Sequence, residues 1–193
     1  LDTSYRTLDL TTGIATNVYT LKDNTVITQK VFASETDDVI AISITSTKPI
    51  SAQISMEGST IKNGDLVKNG AAQGQGATHY VSIVRALPEA KRQTTNGMLN
   101  IENSKQVTIY LAAATDFNRK NSAVKLAQGW QDKALQTVNK LKDKTITEVE
   151  QAAINGHKAY FNRLSIDFGS TSGEILNLTT EQRLQRIKDG SQD

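Results

Sequence analysis

The chain has 193 residues, 22 Lys and Arg against 20 Asp and Glu, a formal net charge of +2 and no cysteine. At that length folding buries roughly 70% of the extended chain's surface, enough for one large domain or a domain with an appendage. Interspersed charges with no Lys/Arg run argue against nucleic-acid binding despite a pI of 8.7, the missing cysteines exclude disulfides and thiolate metal sites, and no apolar run approaches the ~20 residues of a membrane span.

The first two thirds read as β. Tyr5 to Leu10 and Ile14 to Leu21 form a hairpin around Thr11-Thr12-Gly13. The chain opens inside this hairpin without an initiator Met, so it reads as an interior segment of a longer protein. Thr25 to Ser34 follows a Lys22-Asp23-Asn24 turn. Val39 to Thr47 sets Ile40, Ile42 and Ile44 on one face against Ala41 and Ser43, and Ser51 to Met56 follows Pro49. Further strands are expected at His79 to Leu87, Met98 to Ile101 and Gln106 to Ala114. Short strands with turn signals every 8–12 residues and no helices between them predict an antiparallel β-sandwich, each strand having one core face.

After residues 116–121 the period changes. Ala123, Leu126, Trp130, Ala134, Val138 and Leu141 step by three and four, the spacing of a helical stripe, with Gly129 as a weak point. Thr145 to Glu148 is a capping box, opening a helix with the stripe Ile146, Val149, Ala153, His157, Tyr160 and Leu164, expected to pack on the sandwich or a neighbouring helix. Ser165 to Phe168 reads as a short strand and Gly169 to Gly173 as a loop. Thr179 to Gln182 is a second capping box, opening a helix through Ile187 whose Leu184 and Ile187 need a packing partner. The fold class is therefore mainly β with α: a sandwich over residues 1–116 and a helical linker region over 117–193.

No chemistry emerges from the residues themselves. His157, on an apolar stripe, reads as a packed histidine whose ring meets backbone or carboxylate groups. His79 reads as a loop tie or a solvent-facing ring. Neither has a second ligand at metal spacing. Gly70 to Gly76 lacks the Lys-Ser/Thr ending of a phosphate loop and precedes a strand instead of a helix, so it reads as a connecting loop. Gly169 to Gly173 has Thr171 where a nucleophile elbow needs serine. Asp37-Asp38 is a solvated turn with no acid placed opposite, and Trp130 belongs to the core stripe. No catalytic, cofactor-binding or metal-binding residue is expected.

Several segments in order resemble one family. Tyr5 to Tyr19 (YRTLDLTTGIATNVY), Val31 to Ser34 with Asp38 to Ile42, and Gln106 to Thr115 (QVTIYLAAAT) are similar to strands of the N-terminal domain of glycoside hydrolase family 95, the α-L-fucosidases. His157 to Gly169 and Thr179 to Leu184 resemble that family's linker-helix ending and the approach to its catalytic barrel. The Gly70 to Thr78 loop departs from the pattern. The family's first strands and its (α/α)6 barrel, which carries the catalytic residues, are not in this chain.

The resemblance implies a non-catalytic N-terminal segment of an inverting, α-L-fucosidase-like bacterial enzyme. It would brace the barrel of the same parent chain and border a fucosylated glycan at one rim, in the periplasm or outside the cell. Needing no cofactor, the segment alone would be inactive. An alternative is a stand-alone carbohydrate-binding or structural surface module, although ten aromatic residues, several on core stripes, offer little stacking surface. The mid-sheet opening and the terminal helix also imply self-association, through the Tyr5 edge or the Leu184 and Ile187 patch.

Overall fold

A computed structural model describes residues 2–74, 77–88, 91–166, 169 and 172–191. It contains two compact units, Leu1–Phe161 and Asn162–Asp193. In the first lie the strands β1 (Thr3–Asp9), β2 (Ile14–Thr20), β3 (Val26–Ser34), β4 (Val39–Ile54), β5 (Thr60–Lys62), β6 (Asp65–Ala71), β7 (His79–Leu87), β8 (Arg92–Thr95) and β9 (Met98–Thr115) and the helices α1 (Gln131–Lys140) and α2 (Ile146–Phe161). The architecture is an antiparallel β-sandwich followed by helices.

All pairings are antiparallel, in the order β1-β2-β3-β4-β9-β7-β6-β5, with β8 also on β9. The turns follow from local chemistry. Asp9 Oδ1 accepts from the Thr11 amide at 2.9 Å and Gly13 closes the β1–β2 turn at φ +69°. Asn63-Gly64 and Asn96-Gly97, all four at positive φ, make the two-residue turns that join β5 to β6 and β8 to β9.

Two long strands organise the sheet. The segments expected at 39–47 and 51–56 are one strand, β4, and those at 98–101 and 106–114 are one strand, β9. Their register runs from Ile40 opposite Leu111 to Thr45 opposite Gln106, then shifts before Ala52 meets Ile101. Pro49 falls within the shifted stretch, where a strand tolerates a residue without an amide proton. Leu99 and Ile101 share a core with Val107 and Ile109 of the same strand.

The central strands bury both faces, not one. Ile42, Ile44, Val84, Ala86 and Ile109 belong to one core. Ala41, Val81, Ile83, Tyr110 and Ala112 belong to another, beneath the helices. Helix α1 packs on β9 and β7, and α2 on β3. The helical stripe is shorter than its periodicity suggests: Gly129, at φ +79°, precedes α1, and Ala123 and Leu126 lie outside any helix. Trp130, Ala134, Val138 and Leu141 are buried as expected. A polar tie crosses this interface, with Arg85 of β7 holding buried Asp65 through two bonds of 2.9 and 2.7 Å and donating to the Val138 carbonyl of α1 at 3.2 Å.

The capping box at Thr145 is formed, with Glu148 N–H donating to Thr145 Oγ1 at 3.2 Å and Thr145 N–H to Glu148 Oε2 at 2.7 Å. On α2, Val149 and Ala153 are buried and Ile146 packs against the core, but Tyr160 is 57% exposed. Strand gives way to helix after Thr115, yet the first compact unit continues to Phe161, since both helices pack on the sheet.

The second unit contains α3 (Gly173–Leu176) and α4 (Thr180–Lys188). The second capping box forms as expected, the Thr179 side chain accepting from the Gln182 amide. Leu164, Leu184 and Ile187 are exposed. Of the strand expected near residues 165–168, Ser165 and Ile166 are not in a strand, and 167 and 168 lie outside the described residues.

Candidate functional site

Strand pairing assembles a cleft that no single motif announces. The β7–β9 register sets Tyr80 opposite Thr115, so His79, at the start of β7, adjoins Asp116, just past the end of β9. The Asp116 amide donates to the His79 carbonyl at 3.1 Å, and its carboxylate accepts the His79 amide at 2.9 Å. His79 Nδ1 lies 2.7 Å from the second carboxylate oxygen. Lys125 Nζ stands 3.6 Å from that oxygen and donates to the Ala77 carbonyl, while the Leu126 amide donates to the Asp116 carbonyl at 2.8 Å.

Asp116 is buried, and burial would raise its pKa. The hydrogen bond from the His79 side chain, aided by the His79 amide and the Lys125 charge, prevails and holds the carboxyl below the usual carboxylate range. The carboxylate in turn orients the imidazole and leaves Nε2 without a partner among the described residues.

Around this group opens a cleft of about 630 Å³, walled also by Asn69, Gly70, Tyr80, Trp130 and Gln131. Gly70 leaves room for the Tyr80 side chain, which a Cβ at that position would meet. Asp116 is the sole carboxylate among the described lining residues of the cleft. The arrangement can bind and orient a polar ligand.

Of the residues singled out in the sequence, His79, Gly70 and Trp130 meet here. His79 is the tie that its loop position suggests. Trp130 is core, 9% exposed, and also lines the cleft. Gln75 and Gly76 of the glycine-rich stretch lie outside the described residues, and Gly70 and Ala71 end β6. His157 stands elsewhere: Nε2 is 2.8 Å from the Leu10 carbonyl and the ring stacks on Phe161 at 5.2 Å, packing the β1–β2 turn against α2. The pair Asp37-Asp38 is not simply solvated. The Asp37 side chain is 6% exposed, accepting from Ser34 Oγ at 2.8 Å and pairing with Lys144. Asp116, Lys125, Asn69 and Gln131 carried no sequence signal. Among the described residues no group of three His, Asp or Glu could hold a metal ion, and no helix is long and apolar enough to cross a membrane.

Residues 2–120 match the family described as glycosyl hydrolase family 65, N-terminal domain. The chain belongs to this family. The specific likeness to family 95 thus widens to a glycosyl hydrolase N-terminal domain. A solved structure, "Putative kojibiose phosphorylase from human microbiome", resembles this N-terminal domain with a TM-score of 0.52 at 16% identity, over 81% of the present chain. The domain spans 23% of the length of that protein. No curated protein matches the chain.

Proposed function

We propose that this glycosyl hydrolase N-terminal domain serves as the non-catalytic companion of a catalytic domain in the same parent chain, bracing it through the sandwich and its helices. The observation that carries this reading is the match of residues 2–120 to a hydrolase N-terminal family. The ordered motifs from Tyr5 to Leu184 favour an α-L-fucosidase-like parent that degrades fucosylated glycans by inversion, outside the cytoplasm of a bacterium. The name of the structural neighbour favours a second reading, a parent that phosphorolyses kojibiose.

The test assays the longer protein and the 193-residue chain side by side on an aryl α-L-fucoside, and on kojibiose with phosphate. Fucoside turnover by the longer protein alone, with inverted product, is the expected result. Phosphorolysis alone selects the second reading. Turnover of fucoside by the short chain, abolished by changing one of its own carboxylates, overturns the non-catalytic assignment. Removing residues 2–161 is expected to lower the melting temperature of the remainder, and an unchanged value overturns bracing.

A further inference from the structure

We infer that the His79–Asp116 cleft is a saccharide-binding subsite of this domain, taking a neutral pyranoside of one or two rings. The inference rests on the reading that the parent acts on glycans, and it assigns the cleft a ligand.

The chemistry of the walls selects the ligand. Lys125 and Asp116 face each other at 3.6 Å, so their charges cancel and neither a cation nor an anion meets a net opposite charge. What is left for a ligand is the side-chain amides of Asn69 and Gln131, which both donate and accept, and the Nε2 of His79, which accepts because Nδ1–H donates to Asp116. Sugar hydroxyls also donate and accept at once, and they match such a set better than a carboxylate or an ammonium would. Trp130 and Tyr80, which line the cleft, supply an apolar wall for the C–H face of a pyranose. A volume of about 630 Å³ lies within the roughly 300–1,000 Å³ of small-molecule sites.

Part of the wall is also preset. His79 is held by a buried carboxylate on its ring and its amide, and Gly70 lets Tyr80 lie across β6. His79 therefore has little side-chain freedom left to lose on binding, whereas the exposed Asn69 and Gln131 are ordered by the ligand itself.

Trp130 is the chain's single tryptophan, so its emission reports on this cleft. The 193-residue chain is titrated with methyl α-L-fucoside, methyl α-D-glucoside, kojibiose and, separately, inorganic phosphate. A saturable change with at least one saccharide and none with phosphate is expected. Gln131→Ala and His79→Ala should each weaken that binding about five- to tenfold, the worth of one hydrogen bond. Gln131 is exposed, so its variant keeps the parent's melting temperature. Saturation by phosphate, unchanged affinity in both variants, or no saccharide response while the longer protein turns over glycosides would each overturn the inference. Saccharide binding by a chain whose longer protein turns over no glycoside upholds the subsite and overturns the proposed function.

Discussion

Tyr110→Phe should stabilise the domain. Tyr110 is 1% exposed in the core beneath the helices, and its hydroxyl has no hydrogen-bond partner among the described residues. A buried hydroxyl that has given up water without replacing it costs about 1–3 kcal/mol. Phenylalanine removes that cost and keeps the ring against Ala41 and Arg85, its neighbours in the ladders. Allowing for the small void left by the oxygen, the gain should be about 1 kcal/mol, or ~2–4 °C in melting temperature at this size. A second signature lies in alkali. Burial, helped by the nearby charge of Asp37, pushes the Tyr110 phenol up to about 12. The unfolded phenol ionises near ~10, so the folded state holds its proton more tightly. The associated stability is complete below about pH 10 and is lost as pH rises towards 12. Thermal melts by circular dichroism from pH 8 to 12 test both points, because the variant's advantage should widen above pH 10. A lower melting temperature in the variant, or an advantage independent of pH, would refute the unpartnered hydroxyl.

Gly13→Ala should cost roughly 1–2 kcal/mol, since an alanine at φ +69° is strained and its Cβ would stand 3.0 Å from His157 Nδ1; urea titration should show a smaller loss in a His157→Ala background. Val149→Asp, with its side chain in a site of 0% exposure, should abolish the cooperative melt of the first unit, and an unchanged melt would mean that α2 does not need the sheet. Asp9, Asp23, Asp116 and Glu148 all have depressed carboxyl pKa values, through hydrogen bonds from Thr11, Thr25, His79 and Thr145 respectively. Their stabilisation is present above the unfolded values near ~4 and is lost as pH falls through the lower folded values, so melting temperature should hold above pH 5 and drop below about 4.

Much of the sheet was legible because Ile14 to Thr20, Val26 to Ser34 and His79 to Leu87 each carry a clear apolar pattern between turn residues. Three strands were not. Thr60–Lys62, Asp65–Ala71 and Arg92–Thr95 are short or polar, and the signals that frame them are the Asn63-Gly64 and Asn96-Gly97 turns, stronger evidence than the strands themselves. Burial on two faces was hidden because Ala41, Ser43, Ala112 and Ala114 are small and look like a solvent face until α1 and α2 cover them. The cleft was illegible for a different reason. His79 and Asp116 are 37 positions apart and meet only through the register of β7 on β9, which no local pattern fixes.

The central place of β9 has a kinetic consequence. Strands β1 to β4 form a meander of consecutive hairpins, with local contacts that form early in a nascent chain. The free side of β4 is completed only by β9, where Ile40 meets Leu111. At ~5–20 residues per second, the roughly sixty residues between the end of β4 and the end of β9 take about 3–12 s to synthesise. During that interval Ile42 and Ile44 lack their partners from β9 and the β4 backbone offers unpaired amides and carbonyls. Truncated chains released with ends between residues 60 and 95 should therefore recruit chaperones or aggregate, and chains released beyond residue 115 should lose that tendency as β9 zips onto β4.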